Sequence, residues 1–483
     1  MFTQIKSLGA DTAVYGISSI VARLLNFLLV PFYTNILLPA EYGIVATVYS
    51  YIAFFNVFYS YGMESAYFRF AAVREVGNDT ENFSTPFLSI AISSFLFSGG
   101  LIFFSVPCTA FFQISPDLYS LINYTAGILF FDAIAIIPFA SLRLQRKAKI
   151  FATYKVVNIV VSVALNLYTL LVLHWGIEGI FFSNLCASIV TLILLLPTIL
   201  RQFSFSFHKG LYRELLKFGL PIVPVGVSGI VLQIADRPIM KLLMDDAAVG
   251  IYQANYRLGI FMNAVVGMFE YAWRPFFLLH AKDADAKQLY ARVMTYFLLG
   301  TSAIFLVVSF FINDVIHFEL FGRHLLHPKY WDGLKIVPWI LLGYIFSGIG
   351  TNLNAGIQIE KKTMYLLPTS LSGSVTNVIL NFLLIPAFGI MGAAYATTAG
   401  YAAVAISLYI VVQRFYRIEY EYIRIGKLAL TVAAAFMVYS FVDLSVILKL
   451  MLTIVWGISL FVIGFFNKEE RMLISRRIFG NKT

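Results

Sequence analysis

Apolar runs recur along the whole chain, each bounded by short polar breaks. Their centres fall near residues 24, 55, 98, 130, 160, 189, 230, 262, 303, 345, 375, 401, 434 and 457. About 20 apolar residues suffice to cross a bilayer, so the pattern predicts about fourteen transmembrane helices. Breakers separate most of them: Leu38-Pro39-Ala40-Glu41, Ser115-Pro116-Asp117, His174-Trp175-Gly176 and Met244-Asp245-Asp246. The first run begins near Ala10 with only Lys6 ahead of it, and no small-residue cleavage site follows, so it is expected to stay as the first span. The expected fold class is an all-α polytopic membrane protein.

The pattern is stated twice. One copy runs from Pro31 through Tyr42-Gly43-Ile44 to Glu64-Ser65-Ala66-Tyr67-Phe68-Arg69-Phe70. The other runs from Pro238 through Val249-Gly250-Ile251 to Glu270-Tyr271-Ala272-Trp273-Arg274-Pro275-Phe276. Proline and glycine stand twelve residues apart in both. A second echo sets Asn166…Gly176-Ile177-Glu178-Gly179 beside Asn381…Gly389-Ile390-Met391-Gly392. Six spans separate the copies, so the repeats are expected to be parallel, related by an axis along the membrane normal. The expected division is residues 1–212 (spans one to six), 213–417 (spans seven to twelve) and 418–483 (an appended pair of spans and the tail).

Composition narrows the class. Hydrophobic residues make up 60% of the chain and charged residues 12%, with a mean hydropathy of +0.82. The net charge of +10 is not gathered as a nucleic-acid partner would need. It lies in the short connections, and mostly on one side. The odd-to-even connections hold Lys241, Arg323, Lys329, Lys335 and Lys449. The opposite side holds Arg143 to Lys149, Arg201, Lys209, Arg213, Lys217, Lys361, Lys362, Arg414, Arg417, Arg424, Lys427 and the tail. This bias predicts that both termini are cytoplasmic. Cys108 and Cys186 sit in apolar runs and imply no disulfide. No Walker motif is present, and His317, His324 and His327 in one outward loop without cysteine give a weak metal signal, so no metal or catalytic site is expected.

Charges inside the spans carry the candidate chemistry, because each costs roughly 2.5–3.5 kcal/mol at a helix centre even on the lenient insertion scale. Arg23 stands midway along the first span, at most about 18 Å from either end. It reads as a cavity cation or as half of a structural pair. Arg69 either reaches the membrane interface or joins that cavity, and Glu64 lies deeper on the same span. Asp236 and Arg237 are neighbours whose side chains leave a helix roughly 100° apart, so each is expected to need its own partner. Glu270 and Arg274 have the i, i+4 spacing of an ion pair or a gate, and Pro275 is expected to kink or end that helix. Arg257 has no acidic residue within a turn. Asp132 is a candidate for ion or proton coupling, or for pairing with a basic residue. Asn158, Asn166, Asn377 and Asn381 are expected to bridge helices. Arginine suits phosphate because its planar fork stays charged and binds two oxygens. Arg23, Arg237 and Arg257 together fit an undecaprenyl-pyrophosphate head group.

Leu38-Pro39-Ala40-Glu41-Tyr42-Gly43, Gly62-Met63-Glu64-Ser65-Ala66-Tyr67-Phe68-Arg69-Phe70, Ala235-Asp236-Arg237, Gly250-Ile251-Tyr252 and Ala272-Trp273-Arg274-Pro275-Phe276-Phe277 resemble the polysaccharide transporter branch of the multidrug/oligosaccharidyl-lipid/polysaccharide exporter superfamily. The resemblance implies two six-helix lobes forming a V, with alternating access. It implies an undecaprenyl-pyrophosphate-linked oligosaccharide as cargo, flipped across the bacterial inner membrane for O-antigen, capsule or exopolysaccharide. It places Arg23, Arg69 and Arg257 in a cationic cavity and allows coupling to sodium or protons. Membrane lipids, a polysaccharide polymerase and chain-length proteins are the partners it implies.

Three rivals are set against it. A drug/cation antiporter of the same superfamily is expected to have twelve spans and an acidic cavity. A lipid II flippase is expected to carry different loop motifs. A membrane polysaccharide polymerase would need a large outward loop, and no internal duplication.

Overall fold

The computed structural model describes residues 29–73, 77–320, 322–467 and 470–471. Among the described residues eleven helical segments are long and apolar enough to cross a membrane. Three expected centres fall elsewhere. That near 24 lies outside the described residues. That near 262 meets a broken pair of helices, Asp246–Tyr256 and Ile260–His280. That near 457 meets a shorter apolar helix, Val446–Val462. Prolines 86, 138, 197, 275 and 386 all lie inside helices. Pro275 therefore does not end its helix, which runs on to His280. Membrane helices tolerate such prolines because neighbouring groups take up the freed carbonyls.

The chain forms two units. The first comprises residues up to Ile260 together with Leu326–Ile336 and Leu366–Val404. A helical stretch at 29–36 leads to α1 (Pro39–Ser60), whose start is fixed by Glu41 accepting the Leu38 N–H at 2.8 Å. Tyr61 and Gly62 have left-handed backbone, φ 27° and 76°, and separate α1 from α2 (Met63–Val73). A side chain at Gly62 would collide with the backbone of Gly219. Next come α3 (Asp79–Phe103), α4 (Ser105–Phe111), α5 (Tyr119–Leu144), α6 (Ala148–Leu171), α7 (Gly176–Gln202) and α8 (Lys209–Gly219). Then follow α9 (Val223–Ile234), α10 (Asp236–Leu243) and α11 (Asp246–Tyr256), the last two holding the start of the second copy. Pro238 falls in the first turn of α10, where its missing N–H has no intrahelical partner to lose.

The duplicated glycines now have a reason. Helices α1 and α11 cross at Gly43 and Gly250. A Cβ at Gly43 would strike the Asp246 carbonyl, and one at Gly250 would strike that of Pro39. Such backbone-to-backbone approach is what small residues permit between membrane helices. The second echo behaves alike. Gly176 and Gly389 are left-handed, φ 56° and 57°. Gly179 then packs on Thr169 of α6, and Gly392 packs on the Leu384 backbone. The 3-10 segment Pro328–Ile336 closes over the crossing: the Tyr330 hydroxyl donates to Leu37 O at 2.9 Å, and Tyr330 O accepts from Asn255 Nδ2 at 2.8 Å.

The second unit comprises Phe261–Leu325, Val337–Tyr365 and the chain from Ala405. It takes most of α12 (Ile260–His280), then α13 (Ala286–His317) and the two-residue ladder of β1 (Glu319–Leu320) with β2 (Arg323–His324). Helix α14 (Val337–Ile359) follows; α15 (Leu366–Phe388) returns to the first unit, and α16 (Ile390–Phe415) spans both assignments. Helices α17 (Tyr422–Phe441) and α18 (Val446–Val462) finish it. Lys449 holds Asp314 at 2.7 Å, and Arg424 holds Glu421 and Glu470 at 2.8 and 3.0 Å, tying α17 and α18 to α13 and to the chain beyond them. Helices α13, α14 and α17 enclose an apolar cavity of about 420 Å³, with Leu298, Phe305, Trp339 and Phe346 in its wall.

Candidate functional site: a two-part polar cavity in the first unit

Helix α6 carries Lys155, Asn158, Ser162 and Asn166, spaced three, four and four residues apart. That spacing sets them on one face. Helix α7 carries Asn184, Ser188 and Thr191 in the same manner, and α1 carries Tyr42, Val45 and Tyr49. Turned to lipid, each unsatisfied polar group would cost several kcal/mol. Instead the stripes face one another across two adjoining cavities.

The first cavity, about 390 Å³, is walled by Tyr33, Tyr42, Tyr49, Asn158, Asn166, Asn184 and Arg257 among others. The Tyr33 hydroxyl donates to Asn166 Oδ1 at 3.0 Å, and Asn184 Nδ2 donates to the Tyr49 hydroxyl at 2.8 Å. Asn158 reaches from α6 to α7, donating to Ala187 O at 3.0 Å and Thr191 Oγ1 at 2.8 Å. Arg257 stands in the 3-10 turn Arg257–Gly259, where α11 gives way to α12. Among the described residues its guanidinium makes no hydrogen bond or ion pair.

The second cavity, about 360 Å³, shares Asn158 and Asn184 with the first. Its wall adds Glu64, Asp132, Arg143, Lys155, Ser188, Thr191, Phe139 and Phe151. Glu64 and Arg143 form an ion pair at 2.6 Å. Asp132 accepts from Ser188 Oγ at 2.7 Å. The Lys155 ammonium lies 4.3 Å from the Phe139 ring centre and, among the described residues, has no hydrogen-bond or ion-pair partner.

Asp236 and Arg237 correct the expectation that neighbours cannot share a direction. Their side chains pair at 2.6 Å and are 0% and 6% exposed. The long arginine folds back across the start of α10, and its backbone N–H also reaches Asp236 Oδ1 at 3.0 Å. Tyr252 donates to Asp236 Oδ2 at 2.6 Å and Thr397 at 3.3 Å. Arg237 also donates to Gln253 Oε1 at 3.0 Å and to Gln233 O, and lies 4.2 Å from the Tyr256 ring. Its fork is engaged within the protein.

The remaining candidates are dispersed. Arg23 lies outside the described residues. Arg69 is exposed on α2 and stacks 4.8 Å over Phe218, apart from the Arg257 cavity wall. Glu270 and Arg274 are exposed on α12 and form no ion pair with each other, so the pair expected from their spacing is absent among the described residues. Asn377 bridges to Thr397 Oγ1 at 3.3 Å, as expected of it, whereas Asn381 bonds back to Asn377 at 2.9 and 3.1 Å. Two cavity cations escaped the sequence reading. Lys155 was legible as an intramembrane charge, while Arg143 reads naturally as part of a basic loop. Only the contact of α5 with α2 reveals its partner.

These features define a class: multi-pass, all-α membrane proteins with a polar cavity among their helices. The fold matches a structure described as lipid II flippase MurJ in an inward closed conformation, with a TM-score of 0.76 over 96% of this chain and 100% of that one, at 16% identity. It also matches an inward-facing multidrug resistance MATE family transporter, with a TM-score of 0.64 over 85% and 99%, at 15% identity. The family model for polysaccharide biosynthesis proteins matches residues 8–278, more than half of the chain. The chain belongs to that family, within the multidrug/oligosaccharidyl-lipid/polysaccharide exporter superfamily. An uncharacterized membrane protein of Methanocaldococcus jannaschii is 31% identical over 116 residues, 23% of this chain. The aligned part spans about a fifth of that relative.

Proposed function

We propose that the protein flips an undecaprenyl-pyrophosphate-linked oligosaccharide repeat unit from the cytoplasmic to the outer leaflet of a bacterial inner membrane, by alternating access, for O-antigen, capsule or exopolysaccharide synthesis. The observation that carries this reading is Arg257, a guanidinium on a cavity wall with no anionic partner among the described residues. An unpaired guanidinium on a polar cavity wall is the chemistry of phosphate capture. The cavity volume lies within the range of small-ligand sites. The Tyr49 hydroxyl, which accepts from Asn184, keeps its own proton as a neutral donor on the same cavity wall. Coupling to sodium or protons falls to Asp132 or Asp236, of which Asp132 is the one open to a cavity.

The likeness to a lipid II flippase favours a second cargo, the peptidoglycan precursor. Deleting the gene separates the two. The first reading expects surface polysaccharide to vanish while growth continues and the lipid-linked repeat accumulates in the inner leaflet. Lysis, with polysaccharide still exported until cells fail, would assign the second cargo instead.

A further inference from the structure

The two cavities differ in charge, although they share Asn158 and Asn184. The first presents Arg257 with no carboxylate in its described wall. The second balances its charges, Glu64 and Asp132 against Arg143 and Lys155. An anion gains little in a balanced compartment. A polyhydroxylated neutral ligand gains much, because carboxylates accept from hydroxyls, ammonium donates to them, and amides do both. The rings of Phe139 and Phe151 line the same compartment and provide apolar faces for the C–H side of a sugar.

We propose that the compartment of Asp132, Lys155, Asn158 and Asn184 is the subsite for an uncharged sugar attached to the lipid pyrophosphate held at Arg257. This rests on the flippase reading above. Head group and glycan would then lie end to end, with Asn158 and Asn184 at the junction. Selectivity follows from the wall. A sugar whose hydroxyls satisfy these polar groups is retained, and one that leaves them unpaired is not. Sites that hydrogen-bond hydroxyls discriminate strongly, since an absent partner leaves the buried group unpaired.

The test is binding to the full-length protein in lipid nanodiscs, with two probes. One is undecaprenyl pyrophosphate without sugar; the other is the same lipid carrying one neutral N-acetylhexosamine. The wild type is expected to bind the sugar-bearing probe at least about tenfold tighter, the scale of one hydrogen bond to a charged group. Asp132→Asn, which keeps volume and a partner for Ser188, and Lys155→Gln should each erase that preference while leaving the bare lipid's affinity unchanged. Arg257→Ala should weaken both probes. If Asp132→Asn and Lys155→Gln keep the full preference, the subsite is wrong while the flippase reading stands. If neither probe binds in an Arg257-dependent way, that reading fails and the subsite fails with it. An aspartate that served only ion coupling would alter transport in Asp132→Asn and leave the sugar preference intact, which also overturns the proposal.

Discussion

Asp236 shows how differently two intramembrane charges can be used. Its carboxylate accepts from the Arg237 side chain and backbone and from Tyr252 and Thr397, and both members of the pair are buried. Removing one member of a buried, bonded pair destabilises by about 3–5 kcal/mol, because the other charge is stranded. Asp236→Ala should therefore lower the melting temperature of the purified protein sharply. Replacing both residues with apolar side chains of similar volume should restore much of it. Equal melting of wild type and Asp236→Ala would show that the pair holds nothing. Arg257 has no such partner among the described residues, so Arg257→Ala should leave the melting temperature nearly unchanged. The sequence identified both arginines as unusual. It could not say which was satisfied, because a partner sixteen residues away (Tyr252, Gln253) is brought close only by the turn between α10 and α11.

At the scale of elements, the repeated proline–glycine spacing was legible as a duplication, and its purpose was not. Spacing says that two glycines are equivalent; it does not say that they touch. The crossing of α1 and α11 supplies the reason. Gly43→Ala or Gly250→Ala forces a methyl into a backbone carbonyl, and overpacking of this kind costs about 1–3 kcal/mol. Each variant should express poorly and melt early. The double variant should cost less than the sum, because one separation of the helices relieves both clashes. Strict additivity would mean that the glycines act independently. The polar stripes tell a similar story. The periodicity of Lys155, Asn158, Ser162 and Asn166 can be read from the chain, yet only the packing of α6 on α7 turns four polar residues into the walls of two adjoining cavities. The Glu270–Arg274 spacing shows the converse, since i, i+4 placement permits a pair without requiring one.

The whole molecule was legible in class: an all-α membrane protein of many apolar spans. The apolar runs fixed that, because the bilayer imposes helices of nearly uniform length. The site was legible in part. Arg257 stood out as a charge with no local excuse, whereas the tyrosines around it look like ordinary core aromatics until Tyr33 and Tyr49 are seen bonded to Asn166 and Asn184. The central claim is that Arg257 captures the lipid pyrophosphate for transfer. Its most direct test is the rate at which labelled undecaprenyl-pyrophosphate oligosaccharide crosses the bilayer of proteoliposomes holding wild type or Arg257→Ala. Truncating one member of a desolvated charge contact costs about 2–5 kcal/mol, so transfer should fall by roughly thirtyfold or more at limiting substrate while the variant remains folded. Transfer by folded Arg257→Ala at the wild-type rate would contradict the account.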